Sequence, residues 1–222
     1  MITKRYIFRI AATAAVCFAA LCASAGNPAT ERAARRLDMR VHEGYVGLER
    51  LIPTHVKLQY AGGMGVVSFG AGWDYGRKCC WETDVMIGFL PRAYADRFHT
   101  TLTLRQNYIP WSIRCGGRFA FEPFACGVYL NFISGERFWM REPARYPGEG
   151  YYGFTSRLRI HLYVGQRLTL NFDPDAAVRA VTLYYELSAN DLNIVAKFGN
   201  SSLRVSDIVF FSAGVKLQIF KP

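Results

Sequence analysis

The chain has 222 residues, 51% of them hydrophobic, and a formal net charge of +10 at pH 7. This length suits a single domain preceded by a short targeting segment. A basic balance can indicate a nucleic-acid partner, but here the basic residues are spread along the chain and the N-terminus predicts export, so we expect no nucleic acid. No window of 18 or more apolar residues follows Ala25, and the sequence therefore predicts no membrane-spanning helix.

The N-terminal segment has the three parts of a secretory signal peptide. Basic residues precede an apolar run over residues 10–23, and Ala23-Ser24-Ala25 supplies a small-residue cleavage pattern. The apolar run is shorter than the roughly 20 residues that a spanning helix needs. We therefore expect residues 1–25 to be a cleaved signal peptide and residues 26–53, which are polar and mixed, to form a lead-in segment.

From Thr54 onward, hydrophobic residues recur at every second position and polar residues fill the gaps. This alternation predicts strands with one apolar face and one polar face. In chain order the predicted strands cover residues 54–60, 67–75, 81–89, 101–108, 119–133, 158–172, 181–188 and 209–219. The segment 119–133 is apolar on both faces, so its alternation does not tell which face points inward.

Breaks in the alternation decide the number of strands. The break at Gly62-Gly63 predicts a hairpin or a kink, and the break at residues 189–191 predicts a β-bulge. With a hairpin at the first and a bulge at the second, the count is eight. If both breaks and the region of Gly165 are turns, the count is ten.

The composition of the polar faces favours a barrel with its apolar side outside. Glycine and serine recur there, as in Gly70, Gly72 and Ser212, and a narrow interior needs small residues. Charges of both signs share these faces and could pair with each other inside, which would offset the cost of their burial. Aromatic residues cluster near predicted strand ends, where rings prefer the border between lipid and water.

On the signal segment, the alternation, the aromatic clusters and Phe220, the chain resembles the small outer-membrane β-barrel families of Gram-negative bacteria over residues 54–220. It departs from them by ending on Lys221-Pro222. The resemblance implies an all-β fold, an antiparallel up-and-down transmembrane β-barrel over residues 54–222, with residues 26–53 in the periplasm. It also implies a place in the cell outer membrane and assembly by the barrel-assembly machinery. Contact with outer-membrane lipid and lipopolysaccharide, and a monomeric state, would follow.

Two groups of residues are candidates for binding. The first is a lumen network that could hold an anion or simply pair internally: Arg105, Arg157, Arg159, Glu82, Asp84, Glu186 and Lys216. The second lies on the longest irregular stretch, residues 134–153, where Phe138, Trp139 and Tyr146 could grip a glycan or a partner protein. The histidines and cysteines lack the spacing of a zinc site, and we expect no metal and no cofactor.

Three functions stay open at this point. The first is a structural or surface-interaction role for a barrel with a filled polar lumen. The second is modification of lipid A or lipopolysaccharide, with His161 as base, Glu186 orienting it and Ser156 as nucleophile. Ser156 and His161 would lie roughly 17 Å apart on one strand at ~3.4 Å per residue, so another strand would have to supply the serine. The third is a soluble periplasmic binding barrel of lipocalin type, which would point its apolar faces inward.

Overall fold

The computed structural model describes residues 48, 51–90, 99–115, 118–134, 158–172, 176–199, 204 and 208–219. Most of them lie in antiparallel strands. The strands are β1 His55–Ala61, β2 Val67–Tyr75, β3 Trp81–Leu90, β4 His99–Tyr108, β5 Ile113–Arg114, β6 Phe119–Ile133, β7 Leu158–Asn171, β8 Ala180–Asn190 and β9 Phe210–Gln218. A 3₁₀ turn at Arg77–Cys79 precedes β3, and the helix α1 spans Asp191–Gly199.

Eight of these strands close into an up-and-down barrel. Each pairs with its neighbours in sequence, β4 pairs directly with β6, and β1 closes the barrel against β9. The two residues of β5 only extend the edge of β6. Within the described residues, the all-β class and the count of eight antiparallel strands are therefore confirmed.

The structure corrects two expectations about the breaks. The alternative of ten strands is wrong, because Gly165 lies inside β7 and is paired on both sides. The bulge expected at residues 189–191 is also wrong, because β8 ends at Asn190 and α1 begins at the next residue. The side chain of Asn190 accepts a hydrogen bond from the Asn193 N–H at 2.7 Å, which caps the first turn of the helix.

A bulge does occur in β6, and it explains the unclear alternation of residues 119–133. The register against β7 shifts between Glu122 and Ala125. An extra residue reverses which side chains face inward, so Glu122 is buried before the bulge and Tyr129 is buried after it. Along residues 119–133, the inward positions are even-numbered before the bulge and odd-numbered after it. A single alternation therefore does not fit the whole segment.

Among the described residues, no helix has the length and the apolar character needed to cross a membrane.

The barrel has its polar residues inside and its apolar residues outside. Arg105 is 0% exposed and Lys216 is buried, whereas Leu162 is 56% exposed and Leu158 also lies outside. Exposed apolar residues occur on seven of the eight barrel strands, among them Leu58, Tyr60, Val67, Phe69, Val85, Ile87, Leu102, Leu104, Val128, Leu130, Leu158, Ile160, Leu162, Val164 and Leu183. We call the polar interior the lumen. Its terminal end is the end where His55 pairs with Gln218, and its loop end is the opposite one.

Glycines in the wall make room for tyrosine rings that fill the lumen. Gly127 on β6 pairs with Tyr163 on β7, and a Cβ at residue 127 would lie 2.7 Å from that ring and 2.2 Å from the backbone oxygen of Gln106. Gly214 and Tyr184 repeat the arrangement between β9 and β8, with a 2.5 Å approach. An aromatic ring covers each glycine, so the wall and the filling of the lumen are one packed unit.

The variant Gly127→Ala should therefore lower the free energy of unfolding by about 1–3 kcal/mol, the usual cost of overpacking. The added methyl group meets backbone atoms, which cannot move as a flexible side chain can. Urea unfolding of the folded protein measures the change. Gly199→Ala is the matched control, since nothing lies within 4 Å of a Cβ at residue 199; equal stability of the two variants would contradict the packing argument.

Candidate functional site

Arg105 on β4 lies in the lumen and connects distant parts of the barrel wall. Its guanidinium donates to Glu186 Oε1 on β8 at 2.6 Å and to Gln59 Oε1 on β1 at 2.7 Å. It also lies 4.7 Å from the ring centroid of Tyr163 on β7, a distance at which an aromatic face attracts a cation. One side chain thereby links β4 to three strands that are remote from it in sequence.

Glu82 on β3 is the acidic counterpart nearer the terminal end. Its Oε2 accepts hydrogen bonds from Lys57 Nζ at 2.8 Å and from Arg167 Nη1 at 2.9 Å. Its Oε1 accepts one from Lys216 Nζ. A buried carboxylate is unfavourable unless it is paired and hydrogen-bonded, and here cations from β1, β7 and β9 converge on one carboxylate.

His55 at the start of β1 extends the same network. Its Nε2 lies 2.7 Å from Asp84 Oδ1 and its Nδ1 lies 3.1 Å from Asp74 Oδ1. His55, Asp74 and Glu82 bring possible metal-ligand atoms within 4.8 Å of one another. However, Lys216 Nζ lies 3.0 Å from Asp74 Oδ1 and also bonds Glu82. The lysine ammonium therefore already supplies the positive charge that these carboxylates need.

The turn between β1 and β2 folds into the lumen and closes its loop end. We call residues 62–66 the plug turn. Met64 at its tip is 0% exposed and packs with Met86, Tyr129 and Tyr163. The plug turn thus adds an apolar layer above the charged network.

Polar side chains from the wall hold the plug turn in place through its backbone. Asn131 Nδ2 donates to the carbonyl of Gly63 at 2.7 Å, and Thr101 Oγ1 donates to the carbonyl of Met64. Gly62 and Gly65 have φ values of +91° and +135°, and residues with a Cβ rarely adopt such values. The inward fold of the turn therefore depends on both glycine and the polar wall.

The terminal end contains a cavity of about 530 Å³, part of it open to solvent. Its lining includes Asp74, Glu82, Arg167, Lys216, Thr182 and Gln218. These charged groups already pair with one another, and the enclosed part has room for only a few water molecules. Ordered water fits this cavity better than a larger ligand does.

The structure gathers most of the residues predicted for the lumen network. Arg105, Glu82, Asp84, Glu186 and Lys216 are all buried there. Arg159 was expected to pair with these carboxylates. Its Nη1 instead lies 3.8 Å from Asp191 Oδ1 at the start of α1. Four of the residues predicted for binding lie outside the described part of the chain: Arg157, Phe138, Trp139 and Tyr146.

The weak catalytic candidates are not brought together. His161 stacks on the ring of Tyr129 with centroids 4.4 Å apart, and its Nδ1 has no hydrogen-bond partner among the described residues. Glu186 is opposite Gly165 in the register, four residues along β7 from His161 or about 13 Å, and it is bound by Arg105. Ser156 lies outside the described residues. In the described part of the chain, no serine, histidine and carboxylate form a hydrogen-bonded series.

Several residues of the lumen were not predicted from the sequence. Arg167 shares the face of Arg159 and His161 on β7 and could have been found by extending that alternation. Tyr163 lies on the same face, but the sequence alone offers no reason to expect it to contact Arg105. The plug turn gave no signal, because glycines mark a hairpin without telling which way its tip folds.

Comparisons of this chain with models of protein families, with curated proteins and with solved structures gave no match.

The pair of Arg105 and Glu186 allows a test of the lumen network. Arg105→Met should lower the free energy of unfolding by about 3–5 kcal/mol, because Glu186 is then buried without its cation. Adding Glu186→Leu should restore part of that loss, since the stranded charge is removed. Urea unfolding of both single variants and the double variant gives the coupling free energy.

Arg159→Gln is the control for that experiment, because the partly exposed pair of Arg159 and Asp191 should contribute less than about 1 kcal/mol. Additive single-variant effects at Arg105 and Glu186 would show that the two side chains do not act as a pair.

Proposed function

We propose that the chain is an integral β-barrel of a bacterial outer membrane, with a filled polar lumen and a structural or surface-interaction role. The observation that supports this most strongly is the distribution of residues around the wall, apolar outside and charged inside. Soluble monomers rarely expose apolar patches larger than a few hundred Å². An apolar surface on seven strands of a barrel suits lipid around the whole wall.

The height of the apolar surface fits a bilayer. From Trp81 to Phe89 on β3, the strand rises about 27 Å at ~3.4 Å per residue, or about 21 Å along the barrel axis for a tilt of about 40°. Membrane barrels carry an apolar band of about 25 Å. The agreement supports lipid, rather than a single partner protein, as the surroundings of the wall.

Amphipathic side chains lie at the border of this apolar band that is nearer the terminal end. The rings of Trp81 and Tyr108 lie 4.6 Å apart on the outer face. Beside them, Tyr75 Oη hydrogen-bonds to Thr83 Oγ1 at 2.9 Å, and Thr83 Oγ1 donates to Gln106 Oε1 at 2.7 Å. Aromatic rings with polar groups are enriched where acyl chains meet headgroups.

The lengths of the connections suggest an orientation. Of the four connections at the loop end, two are long, residues 134–157 and 191–209, and two are short, residues 62–66 and 91–98. The three connections at the terminal end cover only residues 76–80, 109–118 and 172–179. Bacterial outer-membrane barrels have long loops outside the cell and short turns in the periplasm. The loop end then faces outward, where lipopolysaccharide and surface partners are available.

The alternatives fit less well. A soluble binding barrel of lipocalin type encloses its ligand between inward apolar faces, which is the reverse of the burial observed here. A lipid-modifying enzyme needs a nucleophile in contact with its base, and no hydrogen bond between a serine and His161 is present among the described residues. Thr54 Oγ1 does lie 3.2 Å from His55 Nδ1, and His55 Nε2 lies 2.7 Å from Asp84 Oδ1. Thr54 and His55 are buried at the terminal end, however, away from the loop end proposed to face lipopolysaccharide.

Placing a charged side chain on the outer wall tests whether the wall contacts lipid. Leu162→Arg should lower the stability of the barrel in lipid vesicles by about 2–4 kcal/mol, the cost of an arginine near the bilayer midplane. Unfolding in urea, followed by the shift in gel mobility between heated and unheated samples, measures this. A soluble barrel would change by less than about 0.5 kcal/mol, and that outcome would end the membrane proposal.

Leu51→Arg is the matched control, because Leu51 is 72% exposed and precedes β1. It makes the same chemical change outside the apolar band, so we expect the stability of this variant to equal that of the parent chain.

The filled lumen predicts that the barrel does not conduct ions. Arg105, Tyr163 and the plug turn occupy the interior at successive levels, and eight-stranded barrels leave little space beyond their side chains. The purified barrel in planar bilayers should therefore show no steady current at any applied voltage. A stable open channel would contradict the filled lumen but not the membrane location.

A further inference from the structure

The exposed side of α1 is apolar. Leu192, Val195 and Phe198 are 36%, 52% and 88% exposed, and their spacing of three residues places them along one side of the helix. The other exposed positions of α1, Ala196 and Gly199, also carry no charge.

The polar residues of α1 are less exposed than its apolar stripe, although Asp191, at the first position, is on the same side as Val195. Asp191, Asn193 and Lys197 are only half-buried, and two of them make fixed contacts. Asp191 pairs with Arg159, and Asn193 Nδ2 donates to the carbonyl of Ile208 at 3.1 Å. A surface helix of a water-soluble protein has the opposite arrangement, with its apolar stripe against the core. The helix therefore repeats the inverted pattern of the barrel wall.

The position of α1 connects its stripe to the outer wall. The helix follows β8 directly and contacts both β7 and β8. β7 continues beyond its last pair with β8, His161 opposite Asn190, and there it presents the exposed side chains of Leu158 and Ile160. The apolar surface of the wall thus reaches the level at which the helix lies.

We propose that α1 is an interfacial helix, whose stripe of Leu192, Val195 and Phe198 inserts into lipid at the boundary of acyl chains and headgroups. This inference rests on the proposed membrane location and adds a contact that the strands do not make. Lipid is the occupant because the stripe is uncharged and continues the apolar outer wall. Helices with an apolar side of this kind lie in the plane of the interface.

Quenching of tryptophan fluorescence by brominated phosphatidylcholine tests the proposal on the full barrel in vesicles. Phe198→Trp and Val195→Trp place reporters on the stripe, Leu162→Trp is a reference on the outer wall, and Arg204→Trp is an exposed reference at the loop end. The emission that each variant adds to that of the parent chain is compared with and without bromine. We expect the two stripe reporters to be quenched nearly as strongly as Leu162→Trp, and more strongly than Arg204→Trp.

The experiment gives one result if the proposal of an interfacial helix is wrong and a different result if the proposal of a membrane location is wrong. If Leu162→Trp is not quenched, the barrel is not in lipid and both proposals are wrong. If Leu162→Trp is quenched while the stripe reporters behave like Arg204→Trp, only the interfacial helix is wrong. Quenching of the stripe that disappears as protein is concentrated in the vesicles would show a second copy covering the helix, which also overturns the proposal.

Discussion

The ionic contacts in the lumen are the interaction on which the rest of the structure depends. Because the apolar faces point outward, the polar side chains on the opposite faces enter a narrow space with little room for bulk water. Charged groups there are tolerated only when they pair with each other and complete their hydrogen bonds. Arg105 and Glu82 meet this condition by binding partners on several strands, so the same contacts that satisfy the charges also fix the strands around them.

Steric packing imposes a second condition on the same interior. The lumen must be filled without forcing the strands apart, and glycine in the wall next to tyrosine from the adjacent strand achieves this at Gly127 and Gly214. At the loop end, the plug turn supplies Met64, and its backbone carbonyls satisfy Asn131 and Thr101. Packing and polar satisfaction therefore act together, since moving a ring or the plug turn would also break hydrogen bonds.

The sequence predicts the wall better than it predicts the interior. A period of two places Leu162 outside and Lys216 inside with no knowledge of partners, because alternation is a property of a single strand. Which charges meet depends on register, closure and side-chain length. The predicted pairing of Arg159 with lumen carboxylates differs from the observed pair with Asp191, because β8 ends and α1 begins beside it. The bulge in β6 and the inward plug turn likewise depend on neighbours that one segment does not reveal.

A filled lumen restricts where a function can reside. The charged groups at the centre of the barrel are already paired, and the cavity at the terminal end has room for only a few water molecules. Binding of a larger molecule would have to break several buried ion pairs at once, each of which is costly to leave half-satisfied. Activity is therefore expected on the surfaces that the network holds in place: the outer wall, the loop end and α1. Leu192, Val195 and Phe198 on α1 are exposed as the apolar residues of the wall are, so the apolar exterior of the protein extends beyond the strands.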